Sequence, residues 1–108
     1  MTEVKIQKKN GHIVKVFAQG HTGYGVEGED IVCAGLSSIM QTAILGLMRV
    51  AGINAKVRID DEEALIDLEL PDLSAEDRHN ADMILDTMLC GIADYYEGFS
   101  DFIDLEVK

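Results

Sequence analysis

The stretch DIVCAGLSSIMQTAILGLMRVAG, residues 30–52, decides how the rest of the chain is read. No residue from Ile31 to Met48 is charged, and those eighteen positions reach the length of a membrane span. Ser37, Ser38, Gln41 and Thr42 interrupt the apolar run, however, and no basic cluster flanks it. The stretch is therefore expected to be a buried central helix, and the innermost element, because it lacks a clear polar face. Asp30 is its expected N-cap. Gly52 is its expected stop, with Arg49 suited to the last turn. Gly35, Ser37, Ala43 and Gly46 are small enough to let a sheet or a second subunit approach closely.

The flanking sequence reads as strands and one more helix. Val4-Lys5-Ile6-Gln7 and Val14-Lys15-Val16 alternate apolar and polar around Asn10-Gly11, the favoured pair for a two-residue hairpin turn. Val4, Ile6, Val14 and Val16 are expected to share the core face. Downstream, Val57 and Ile59, then Ile66, Leu68 and Leu70, alternate with charged residues across an acidic turn, Asp60–Glu63. Ser74 with Asp77 signals a second helix. Ile84, Met88, Ile92 and Tyr95 fall on its apolar face, Cys90 is expected in its packing, and Gly98 ends it. Ile103, Leu105 and Val107 alternate in a final strand. The order is β-β-α-β-β-α-β. It predicts an α+β two-layer sandwich, a mostly antiparallel sheet of about five strands with two helices on one face.

Composition narrows the function. A length of 108 residues suits a single domain, residues 1–108. Nine basic against twenty acidic side chains give a formal charge of −11, which argues against direct nucleic-acid binding and allows a basic partner. Solubility alone is an equally good account of that charge. Cys33 and Cys90 make neither a disulfide framework nor a CxxC pair, so no metal and no cofactor are expected. The N-terminal residues lack the apolar region of a signal peptide, which points to a reducing cytoplasm.

The candidate chemistry lies just before and within the long helix, in GHTGYGVEGEDIVCAG, residues 20–35. His21 heads a glycine-rich loop, and Cys33 opens the helix. A first-turn sulfur faces unpaired N–H groups, but the helix dipole contributes only about 0.3–1 kcal/mol at an exposed site. Glu27, Glu29 and Asp30 oppose it. A protonated His21 beside Cys33 would activate the thiol more strongly, as an ion pair, and the helix N–H groups would serve as an oxyanion hole. Otherwise Cys33 is a small buried residue and His21 an ordinary loop residue. Asp30 either caps the helix or orients His21. Ser37, one turn on, either approaches the thiol or back-bonds to the Cys33 carbonyl. Gly20, Thr22, Gly23, Tyr24, Gly25 and Gly28 form the candidate substrate loop, either a cover that closes over ligand or a plain connector. The glycines do not read as a phosphate cradle, because acidic residues surround them and no lysine follows. His12 and His79 carry no assigned role.

The GH at Gly20-His21, the glycine-rich gap, and GxDIVCAxxS at Gly28, Asp30, Ile31, Val32, Cys33, Ala34 and Ser37 resemble the ribosomal-processing cysteine proteases, the Prp family. Thr22 departs mildly from the small residue, often alanine, of that pattern. The resemblance implies a bacterial cysteine endopeptidase. Its substrate would be the N-terminal extension of large-subunit ribosomal protein number twenty-seven, cut after a short motif ending in aromatic residues. By position His21 and Cys33 correspond to the catalytic pair, and Asp30 and Ser37 to family-typical neighbours. It also implies a homodimer. The competing expectation is a non-catalytic dimeric module that binds ribosomal proteins, with a thiol redox sensor behind it because no resolving cysteine is near in sequence.

Overall fold

Asn10 and Gly11 both sit at positive φ, 54° and 80°, as a two-residue hairpin turn requires. They join β1 (Thr2–Lys9) to β2 (His12–Gln19) in the computed structural model, which describes residues 1–20 and 29–108. The pairing is not regular. Gln7 faces Lys15 but Lys8 faces Ile13, so Val14 is an extra residue on β2. A bulge of this kind re-aims the side chains around it. Ile13 turns into the core at 0% exposure, and Val14, expected there, is only half-buried. Val4, Ile6 and Val16 are in the core as expected.

β3 (Lys56–Asp60) and β4 (Leu65–Glu69) complete a second antiparallel pair, and β5 (Ile103–Val107) closes the sheet. The strand order is β3-β4-β2-β1-β5. Only β1 and β5 run parallel. Parallel neighbours need a long crossover, which here contains the second helix. One face of the sheet, with Val4, Ile6, Val16, Ala18, Ile66 and Leu68, belongs to a single apolar core under two helices. On the other face Lys5, Arg58 and Glu69 are exposed. There Lys108 Nζ stands 2.8 Å from Glu106 Oε1, which holds the Glu106 carboxyl below its usual range and raises the Lys108 ammonium. Both groups are open to water, so the pair contributes little to stability. β3 is an edge strand, and Ile59 is 45% exposed, less covered than simple alternation predicts.

The long uncharged stretch forms α1 (Glu29–Leu45) and runs on as a π-helical turn, Gly46–Val50. Ala51 N–H donates to the Gly46 carbonyl at 2.9 Å, and Ile53 N–H to the Leu47 carbonyl at 2.8 Å. Gly52 ends the helix at φ +66°, a conformation that favours glycine. Residues Ile31–Val50 are long and apolar enough to cross a membrane by length and composition. In the fold, Val32, Leu36, Met40, Ala43, Ile44 and Leu47 pack into the core. The expectation of an innermost helix is corrected, because Ile31 is 75% and Val50 84% exposed, and Leu45 and Met48 nearly half. A two-layer sandwich leaves one side of each helix uncovered, and on α1 that side is uncharged, with Ile31 and Leu45 exposed beside Ser38, Gln41 and Thr42.

α2 (Ala75–Phe99) starts where expected: Asp77 N–H donates to Ser74 Oγ at 3.1 Å. It runs one residue past Gly98. Ala81, Leu85, Met88 and Ile92 form its buried face. Cys90 lies off that stripe and is exposed, not packed as expected. The helices approach closely at Gly35, where a Cβ would overlap the Tyr95 hydroxyl. At the far end Asp82 ties α2 to the hairpin. His12 Nδ1 lies 2.6 Å from Asp82 Oδ2, and Arg78 Nε donates to Asp82 Oδ1 at 2.9 Å. Arg78 also donates to the Ile13 carbonyl at 2.8 Å, so His12 has a structural partner.

Candidate active site

α1 begins at Glu29, so Asp30 stands inside the first turn and not at the flanking cap position. Cys33 is the fifth helical residue, just beyond the four whose N–H groups lack partners within a helix. Those free N–H groups still lie on the N-terminal side, toward which helical side chains lean. Val32 and Leu36 anchor this turn in the core, at 3% and 2% exposure. Cys33 stays half-buried beside them, at the floor of a cleft of about 210 Å³.

Three elements wall the sulfur. Gly20, at the end of β2, is buried and comes so close that a Cβ there would stand 2.6 Å from Cys33 Sγ. The close approach explains why this position has no side chain. Gly20 N–H donates to the Ala64 carbonyl at 3.0 Å. Ala64 is held at φ 49°, a left-handed conformation that costs a non-glycine residue about 1–2 kcal/mol. It closes the acidic β3–β4 turn, in which Asp60 Oδ1 accepts from Glu62 N–H at 3.0 Å and Glu63 N–H at 3.2 Å. The third wall is Thr2, whose Oγ1 lies 2.7 Å from Cys33 Sγ. Thr2 is 3% exposed. Burying a hydroxyl without a partner costs about 1–3 kcal/mol, so this contact is energetically significant.

The cleft gathers some of the expected residues. Cys33, Gly20 and Ser37 line it together. Ser37 takes neither expected partner and accepts a hydrogen bond from Gln41 Nε2 at 2.7 Å. Thr42 does back-bond, to the Ser38 carbonyl at 2.7 Å. His21, Thr22, Gly23, Tyr24, Gly25 and Gly28 lie outside the described residues, as does the Asp30 side chain. Asp60 and Asp61 bring negative charge to the cleft. Among the described residues no group of three or more His, Cys, Asp or Glu side chains is placed to hold a metal.

Two of these residues had no part in the reading of the sequence. Thr2 shares the core side of β1 with Val4 and Ile6, and a polar residue on an apolar stripe was the available signal. Ala64 carried none, because nothing in an alanine announces a left-handed turn.

Comparison with known proteins places this geometry. The family model of the cysteine protease Prp matches residues 1–104. The ribosomal processing cysteine protease Prp of Staphylococcus aureus is 26% identical over 98 residues, which cover 91% of this chain and 90% of that protein. The crystal structure of an essential ribosomal processing protease Prp from S. aureus, in complex with a substrate peptide, matches with a TM-score of 0.89 at 25% identity. Both chains are covered in full. The same protease with a covalently linked product peptide matches at 0.83 and 26%, again over the full length of both chains. The family carries the enzyme reading over the non-catalytic module and the redox sensor: this chain belongs to the Prp family and is a cysteine protease.

Proposed function

We propose that this protease removes the N-terminal extension of large-subunit ribosomal protein number twenty-seven, with Cys33 as nucleophile and His21 as its base. The observation that carries the pairing is the contact between Gly20 and Cys33 Sγ. His21 is the next residue in the sequence, and a Gly20 held against the sulfur supports its pairing with Cys33. The covalently linked product peptide on the S. aureus protease supports a covalent route.

In that route His21 takes the thiol proton and the Cys33 thiolate attacks the scissile carbonyl, forming a C–S bond and an oxyanion. N–H groups of the first turn of α1 stabilise the oxyanion. The imidazolium returns its proton to the leaving amine as the C–N bond breaks. Water, deprotonated by His21, then attacks the thioester, the C–S bond breaks, and the acid leaves as the Cys33 thiolate takes the proton back from His21. Asp60 and Asp61 near the cleft suit a basic ribosomal substrate, as does the overall charge of −11. Nothing in this route calls for a metal, a cofactor or nucleic acid. The whole chain works as one catalytic domain, in the cytoplasm, where both thiols stay reduced. The homodimer implied by the family would cover the uncharged outer side of α1.

The test is cleavage of a peptide spanning the extension junction by wild type, Cys33→Ala and His21→Ala, with mass spectrometry of the products. A single cut by wild type and none by either folded variant is expected, with slower cutting as salt rises. Undiminished cutting by His21→Ala would remove the histidine from the mechanism. Failure of wild type to cut either the peptide or the intact ribosomal protein would remove the substrate.

A further inference from the structure

The geometry points to Thr2 as a positioning residue of the active site, whose hydroxyl donates a hydrogen bond to the Cys33 thiolate. The inference rests on Cys33 being the nucleophile. Among the described residues Thr2 is the buried polar side chain of the core, at 3% exposure. Its hydroxyl oxygen lies in hydrogen-bonding contact with Cys33 Sγ, at 2.7 Å. Its backbone is fixed independently: Thr2 pairs with Ile103, and its N–H donates to the Phe102 carbonyl at 2.8 Å. The hydroxyl is therefore brought to the sulfur by the sheet, at the end of a strand whose other core-side residues are Val4 and Ile6.

The chemistry follows from which atom can donate. Against a neutral thiol, either the hydroxyl or the S–H can give the proton. Against a thiolate only the hydroxyl can, and a bond to an ionised partner is the stronger kind. A donor that is stronger toward the charged form favours that form. Thr2 thus supplies the donor that the sulfur needs when it attacks, from a position fixed by the strand pairing. It also holds the sulfur beside the Gly20 wall.

The test is the rate of iodoacetamide alkylation at neutral pH for wild type, Thr2→Val and Thr2→Ser. All carry Cys90→Ser, because Cys90 is exposed and would react as well. Thr2→Val keeps the shape and removes the donor. Its alkylation is expected to slow by roughly three- to tenfold, the loss of one charge-assisted hydrogen bond partly offset by a more nucleophilic sulfur. Thr2→Ser keeps the donor and should restore the wild-type rate. A purely structural role would rank the variants the other way, because Thr2→Val fills the same space and Thr2→Ser loses the methyl. An unchanged rate in folded Thr2→Val overturns the proposal. Should that variant not fold, an unchanged rate in Thr2→Ala does the same. Alkylation needs no substrate, so a slowed Thr2→Val without peptide cleavage by wild type would count against the proposed substrate and leave Thr2 in its role.

Discussion

Replacing Gly20 by alanine forces the cleft to choose between its fold and the position of Cys33. The new Cβ would stand 2.6 Å from Cys33 Sγ and 3.3 Å from Ala64 Cβ. Non-bonded carbon atoms settle about 3.5–4.0 Å apart, so the sulfur has to retreat by roughly 1 Å or the end of β2 has to swing out. Thr2 Oγ1 is 2.7 Å from the sulfur and 3.8 Å from the new Cβ, so it stands to the side of that retreat and does not oppose it. An extra methyl in a packed site costs about 1–3 kcal/mol. In a chain of this size that lowers the melting temperature by several degrees or more. A reacting atom displaced by about 1 Å can lose about 100-fold in rate. We expect Gly20→Ala to show both effects, read as a thermal melt and as kcat/KM on the junction peptide. Gly98→Ala is the control, since nothing lies within 4 Å of its added methyl, and it should leave activity unchanged. A Gly20→Ala protein with wild-type melting and kcat/KM within twofold of wild type would show that the sulfur is not confined by this wall.

Two further outcomes follow from the packing. Asp82→Ala removes the partner shared by His12 and Arg78, both part-buried contacts, and should lower stability by about 1–3 kcal/mol in urea titration; a change under about 0.5 kcal/mol would mean the clamp is idle. If the proposed homodimer uses the exposed Leu45 and Met48, Leu45→Glu with Met48→Glu should turn it into a monomer by sedimentation; a monomeric wild type would remove the dimer, and a variant still dimeric would place its contact elsewhere.

Local chemistry was legible in the sequence, and features made by distant pairing were not. Asn10-Gly11, Ser74 and Gly52 announced a turn, a cap and a stop because each acts within a few residues of itself. The exchange of Val14 for Ile13 in the core comes from a bulge, which depends on how β2 meets β1. Cys90 was misplaced because two residues past Met88 a helix has turned to its far side. At the site, Cys33 and Gly20 stood in one recognisable motif. Thr2 reaches the sulfur only through the sheet, and no spacing along the chain relates residue 2 to residue 33.

The parallel partnership of β1 and β5 has a consequence for how the enzyme matures. The hairpin, α1 and the β3–β4 pair are made of neighbours and can form early. β5 must find β1 across about one hundred residues of sequence, the longest separation among the paired strands. Thr2 N–H bonds the Phe102 carbonyl, and Lys8 N–H the Lys108 carbonyl, so β1 acquires its outer neighbour last. β1 is made well before β5 and waits for it. The wall that holds Cys33 is thus completed only after α2 has been made and β5 has docked, and until then the cleft lacks one of its sides.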